Sequence, residues 1–157
     1  MRFKEFICFG ATIPALQATD RDSAIAELVG ALVRAGKLSA GQAKDVTKAV
    51  IKRENEASTG MGKGVAVPHV KHPAAKGVIG AVGLSAAGID FAALDEQPVY
   101  SVLLLISPVD NPDKHLQAME NVFKHLQKEK FRKFLRQCRT PAELEDLLNE
   151  ADENPSW

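Results

Sequence analysis

Apolar residues recur at helical spacing early in the chain: Ile25, Leu28, Val29, Leu32 and Val33 fall at i, i+3, i+4, i+7 and i+8 between Asp20 and Gly36. This predicts an amphipathic helix that Gly36 ends. Ser39 with Gln42 three residues later is a capping-box pattern, and it opens a second helix whose stripe runs through Ala43, Val46 and Val50 and fades near Ala57. The period then changes. Val65 to Val67 is a short β-branched run, and Gly77 to Leu84, rich in Val, Ile and Gly, reads as another strand before a turn at Gly88-Ile89-Asp90. After a loop at Asp95 to Pro98, Val99 to Ser107 is almost continuously hydrophobic, as expected for a central strand covered on both faces. Asn111-Pro112-Asp113 begins a third helix with Asn as N-cap and Pro at the first helical position; Leu116, Met119, Phe123 and Leu126 form its stripe. Two more amphipathic helices follow, Lys128 to Cys138 and Thr140 to Ala151. Phe6 to Ile13 is patterned as a first strand, and Asp152 to Trp157 as a frayed tail.

Helices come early, strands cluster in the middle and helices close the chain, so the fold class predicted is α/β, a mixed sheet with helices on both faces. The 157 residues suit one domain over 1–151 with a tail at 152–157, and a chain of this size buries roughly 70% of its unfolded surface without staples. The 20 basic and 20 acidic side chains cancel, so the uniform field that most nucleic-acid and anionic-membrane binders use is missing. Neither nucleic acid nor membrane insertion is expected, since the apolar run Val99 to Ile106 falls well short of the roughly 18 residues of a membrane span. Arg2 and Lys4 ahead of Phe6 to Leu16 imitate a signal peptide, but Glu5 interrupts the basic region. Cys8 and Cys138 form neither a C-x-x-C pair nor a disulfide framework, which fits a reducing compartment. The expected location is cytoplasmic.

The chemistry concentrates in Ser58-Thr59-Gly60-Met61-Gly62-Lys63-Gly64-Val65-Ala66-Val67-Pro68-His69. Gly60, Gly62 and Gly64 let backbone N–H groups turn toward an anion, Ser58 and Thr59 can add hydroxyl donors, and Pro68 stiffens a strand end that presents His69. His115, in the first turn of its helix on a face with Met119 and Phe123, is expected to point inward. Arg53 continues the stripe of Val46 and Val50, which puts a guanidinium where an apolar residue belongs. If the three converge, His69 attacks a phosphoryl group through one ring nitrogen while a backbone carbonyl holds the other. His115, kept neutral by the helix dipole, donates to the phosphoryl oxygens, and Arg53 with the loop amides balances charge. No metal or cofactor is required. The blander alternatives are a structural His69, an Arg53 that partners Glu56 or a carbonyl at the helix end, and a solvated His125.

Other motif readings fail on spacing. Gly64 stands where a P-loop needs Ser or Thr after Lys63, and the glycines run G-x-G-x-G ahead of a strand rather than G-x-G-x-x-G ahead of a helix. His69-x-x-His72 with His115 lacks the Cys that would complete a familiar zinc set.

With Arg53-Glu54, the Ser58 to His69 string, Ile89-Asp90-Phe91, Leu94-Asp95, the strand ending at Pro108 and His115-Leu116, the chain resembles the enzyme IIA domains of the bacterial phosphoenolpyruvate-dependent phosphotransferase system, of the fructose/mannitol and nitrogen-regulatory type. The resemblance implies a three-layer α/β/α sandwich around a mixed β-sheet. It also implies His69 as the phosphorylated residue, His115 as second active-site histidine and Arg53 as active-site arginine. An HPr-type phosphocarrier would be the donor; a cysteine of a IIB domain or a regulatory protein would be acceptor or target. Val70, where many relatives have Gly, and Lys63 are departures that bear on donor choice. The alternative within this resemblance is a regulatory binding module whose partner affinity follows the state of His69 without onward transfer.

Overall fold

The structure, a computed structural model, describes residues 1–154. Its element order is α1 (Arg21–Arg34), α2 (Ala40–Glu56), β1 (Gly60–Gly62), β2 (Val65–Ala66), β3 (His69–Lys71), β4 (Ile79–Ile89), β5 (Val99–Ser107), α3 (Pro112–Leu126), α4 (Glu129–Gln137) and α5 (Pro141–Glu153), preceded by two 3₁₀ turns at Phe3–Glu5 and Phe9–Ala11. β5 is the centre of the sheet. On one side β4 pairs with it antiparallel; on the other β2 and β3 both run parallel to it in tandem, and β1 folds back antiparallel on β2.

Alternation along β5 builds two cores. Leu103 and Leu105 face a cluster with Val122, Leu126, Leu135 and Leu144 from α3, α4 and α5, while Val102, Leu104 and Ile106 face Ile25, Leu28, Val46 and Val50 from α1 and α2. This is the expected three-layer sandwich around a mixed sheet. Both faces of β5 are buried, which is why its sequence is an unbroken hydrophobic run.

Helix ends follow the local chemistry. Asp20 caps α1 by accepting from Ser23 N–H at 2.8 Å, Asn111 caps α3 ahead of Pro112, and Thr140 caps α5 by accepting from Glu143 N–H at 3.1 Å. At α2, Ser39 instead donates its hydroxyl to the Gln42 side chain at 2.9 Å, so the reciprocal capping box does not form.

Five expectations are corrected. Phe6 to Ile13 is not a strand: the 3₁₀ turns break it, and it touches β4 only through parallel bridges at Ile7–Gly80 and Ile13–Gly83. β4 continues through the expected turn to Ile89 by a bulge, in which Gly88 takes a φ of +86° and donates its N–H to Ser85 Oγ. Asp152 is not frayed, because its carboxylate accepts from Phe3 N–H at 2.7 Å and Lys4 N–H at 3.0 Å and ties the two chain ends together; the remainder of the expected tail, 155–157, lies outside the described residues. The buried stripe of α3 is Ala118, Met119, Val122, His125 and Leu126, rotated from the expected one, and leaves Leu116 58 % exposed. His125 is accordingly buried, not solvated: it packs between Phe3 and Phe131, bonds Asn121 O through Nδ1, and burial lowers its pKa. No described helix is long and apolar enough to cross a membrane.

Candidate active site

The strand that delivers His69 is broken in two at Val67-Pro68. Val67 N–H leaves the β5 edge to bond Thr59 O at 3.3 Å, Pro68 has no N–H, and Leu105 N–H bonds Pro68 O at 3.0 Å. The chain resumes pairing at His69, which sits opposite Leu105 at the start of β3 rather than at the end of a strand. In this kink the His69 ring folds back so that Nδ1 lies 2.7 Å from Val67 O. A carbonyl can only accept, so Nδ1 carries the proton and Nε2 keeps its lone pair. The ring is half-buried, and burial lowers its pKa. The charges of Arg53 and Lys71 act in the same direction; the Val67 bond and Glu54 oppose them.

His115 reaches the same place from α3. The two imidazole centroids are 5.5 Å apart with the planes inclined by 43°. Its Nδ1 lies 2.6 Å from the hydroxyl of Ser107, the last residue of β5 and fully buried. A buried hydroxyl that received a proton from Nδ1 would strand its own, so Ser107 donates and His115 holds its proton on Nε2. Burial, the neighbouring His69 and Lys71 push the His115 pKa down to about 4. Near neutrality the pair is therefore one imidazole with a free lone pair beside one with an N–H to give.

Arg53 is half-buried in the last turn of α2, where its Nη1 donates to Ala57 O at 3.0 Å, and its charge is felt at the His69 ring. The carbonyl contact and the influence on His69 thus coexist. Glu54, 2 % exposed, accepts from Thr59 N–H and from the Thr59 hydroxyl, each at 2.7 Å. Ser58 donates its hydroxyl to Phe91 O and accepts from Gly60 N–H at 3.0 Å. Both hydroxyls expected to face an anion are thereby engaged in bracing the segment.

The glycine string is a hairpin rather than an anion cradle around His69. Gly60 pairs with Ala66, a Cβ on it would lie 2.8 Å from Ala93 Cα, and the tip Gly62-Lys63-Gly64 has positive φ throughout. Gly64 O accepts from Tyr100 and Ser101, and the next residue, Val65, pairs with Ser101. His69 pairs with Leu105, four residues further along β5, a separation of about 13 Å. Gly62 and Gly64 shape the turn, Gly62 lying against the Asp95 carboxylate and Gly64 admitting the Tyr100 ring. His72 stands apart too, its Nε2 2.6 Å from Asp45 and its Nδ1 accepting from Ala74 N–H.

Ser107, Glu54 and Lys71 are additions that the sequence reading gave no role. Lys71 was legible in principle, since period two puts it on the same side of β3 as His69; the polar end of the β5 run at Ser107 was the other signal.

Residues 10–151 match the family model described as phosphoenolpyruvate-dependent sugar phosphotransferase system, EIIA 2. The chain belongs to this family. The EIIA domain is 32% identical over 133 residues to the PTS system fructose-specific EIIA component of Haloferax volcanii, covering 85% of each chain. It is 29% identical over 148 residues to a nitrogen regulatory protein of Bradyrhizobium diazoefficiens, covering 94% of this chain and 95% of that one. The fructose-specific EIIABC component of Bacillus subtilis matches at 31% identity over 87% of this chain, which spans 21% of that longer protein. Among solved structures, the nitrogen regulatory protein IIA-Ntr of Neisseria meningitidis superposes with a TM-score of 0.82 at 25% identity, over 92% of this chain and 97% of that one. Members of the family are phosphotransferase components, and the names of these relatives cover both sugar transport and nitrogen regulation.

Proposed function

We propose that His69 is the phosphoryl-carrying residue of this EIIA domain and that Nε2 is the nitrogen that carries the group. The observation that supports this reading is the Nδ1 bond to Val67 O, which aims the lone pair of Nε2 outward beside a second imidazole. In the forward step the Nε2 lone pair attacks phosphorus of a phosphorylated donor, a P–N bond forms, and the bond from phosphorus to the donor's own atom breaks with its electron pair. In the onward step an acceptor thiolate attacks phosphorus and Nε2 recovers its lone pair. No proton need move on His69 in either direction.

The group carries about two negative charges near pH 7, so the remaining residues act by position and charge. His115 Nε2–H donates to a phosphoryl oxygen, and Ser107 holds that proton in place. Arg53 supplies the fixed positive charge; Glu54 and Thr59 hold the segment between Arg53 and Val67 at its length. Ser58, Gly60, Gly62 and Gly64 act through the hairpin, not as phosphate ligands.

The donor is an HPr-type phosphocarrier and the acceptor a IIB-type cysteine. One solved relative of the same fold is a complex of enzyme IIAMTL with phosphorylated enzyme IIBMTL from Escherichia coli. Leu94, 85 % exposed on the loop whose backbone bonds Gly60, and Leu116, next to His115, offer apolar surface to such partners. Incubation with enzyme I, an HPr-type donor and phosphoenolpyruvate tests the assignment. A mass gain of about 80 Da that His69→Ala abolishes is expected; labelling that persists in His69→Ala overturns it.

The second reading is that the phosphorylation state of His69 sets the affinity for a regulatory target. It is favoured by the near full-length similarity to a nitrogen regulatory protein. Equal binding of free and phosphorylated protein to a captured target would dismiss it.

A further inference from the structure

We propose that the cleft at the far end of β5 from His69 binds a small organic phosphate of nucleoside-diphosphate size. The cleft has a volume of about 940 Å³, within the range of ligand sites, and Ser101 and Val65, rather than Leu105 and His69, mark its position on the sheet. It therefore lies about 13 Å along the strand from the phosphoryl-carrying imidazole.

Charge is the first observation. Lys63, Arg132, Lys133, Arg136 and Arg139 line the cleft against only Asp95 and Glu129, in a chain whose formal charges sum to zero. Asp95 spends its two oxygens on Lys63 N–H and Gln97 N–H. Among the described residues no carboxylate lies within ion-pair distance of the four cations from α4 and its C-terminal end. The helix dipole explains Arg136 near the end of α4, and Arg132 donates through Nη1 to Leu126 O at 2.8 Å; Lys133 in mid-helix has neither explanation, and Arg132 and Arg136 are a like-charged i,i+4 pair that costs helix stability. An anion in the cleft resolves that repulsion.

Preorganisation is the second. The Arg136 guanidinium sits 3.5 Å from the Tyr100 ring centroid, and the ring in turn is admitted by Gly64 and Gly88, whose Cβ positions would lie 3.1 and 3.0 Å from it. Stacking fixes the plane of the guanidinium and leaves its edge N–H groups for a phosphate. Ser101, 2 % exposed, lines the same cleft.

Polarity of the walls sets the ligand class. The cations stand on the α4 side, whereas Leu16, Ala86, Ala87 and Pro98 line the cleft from the chain segment before α1 and the edge of β4 and β5. A molecule charged at one end and apolar at the other fits both walls; an acidic protein segment, charged throughout, fits one.

Titration of the full chain with ADP, inorganic pyrophosphate and adenosine, followed by amide NMR shifts, tests this. ADP is expected to bind at least about tenfold more tightly than adenosine or pyrophosphate, with shifts at Ala86, Gly88, Tyr100 and Ser101. Arg136→Glu and Lys133→Glu, each checked for an unchanged melting profile, are expected to weaken ADP by about tenfold or more and to leave phosphorylation of His69 unaltered. No shifts with millimolar ADP, shifts centred on His69 and His115, ADP binding that both charge reversals leave intact, or tighter binding of poly-glutamate than of ADP would each overturn the proposal. The outcome is independent of whether His69 carries a phosphoryl group.

Discussion

Replacing Ser107 by Ala removes one hydroxyl that touches neither donor nor acceptor, yet it is expected to slow phosphoryl transfer to His69. The hydroxyl donates to His115 Nδ1 at 2.6 Å, and that contact keeps the His115 proton on Nε2. Without it the ring loses a hydrogen bond of about 1 kcal/mol, and the Nδ1–H tautomer, which offers a lone pair to the incoming phosphoryl oxygens, becomes accessible. Loss of a bond of this size in the transition state corresponds to a rate lower by about five- to tenfold. His69 keeps its Val67 contact, so labelling should still go to completion at the same residue. Rapid-quench transfer from a phosphorylated donor measures the rate, and imidazole ¹⁵N shifts report the tautomer. A full wild-type rate together with an unprotonated Nε2 on His115 would refute the role given to Ser107. A slow rate with His115 unchanged would place the defect elsewhere.

Glu54→Ala removes the buried acceptor of both Thr59 donors and is expected to cost about 2 kcal/mol in urea unfolding, with a further fall in the His69 pKa because an opposing negative charge is lost; an unchanged His69 titration by NMR would contradict this. Gly60→Ala forces a Cβ to within 2.8 Å of Ala93 Cα and should destabilise by about 1–3 kcal/mol, read as a lower denaturation midpoint. Burial holds the pKa values of His69 and His115 below those of the unfolded chain, so the unfolded chain binds their protons more tightly. Their contribution to stability is therefore complete above about pH 6.5 and is lost as pH falls toward 4, the value for His115, and urea midpoints at intervals between these limits should fall accordingly. Asp152→Ala frees the backbone of Phe3 and Lys4 and should open those amides to hydrogen exchange while leaving His69 chemistry untouched.

Elements whose burial is set by their own period were legible in the sequence. α1, β5 and α5 follow apolar spacing and local caps, so their existence and type could be read without knowing their neighbours. Those that answer to a partner were not. Phe6 to Ile13 has strand-like residues but only two bridges to β4, and the α3 stripe turned because His125 packs on Phe3 and Phe131, contacts that join opposite ends of the chain. The site divides in the same way. That His69 and His115 meet, with one nitrogen of His69 on a carbonyl, followed from the motif and from the helix start; the hairpin that turns Gly64 toward Tyr100 is a matter of tertiary register, which the spacing of glycines does not encode. Ser107 escaped because a serine at the end of a hydrophobic run reads as a boundary until the neighbouring helix brings an imidazole against it.

The linkage of the phosphoryl group tests the account at its centre. Two-dimensional ¹⁵N–¹H correlation of the phosphorylated protein, labelled at histidine, distinguishes phosphorus on Nδ1 from phosphorus on Nε2 through the coupling pattern of the ring. With Nδ1 of His69 committed to Val67 O, the account predicts phosphorus on Nε2 and a proton retained on Nδ1. Phosphorus on Nδ1 of His69, or on any other residue, would contradict it.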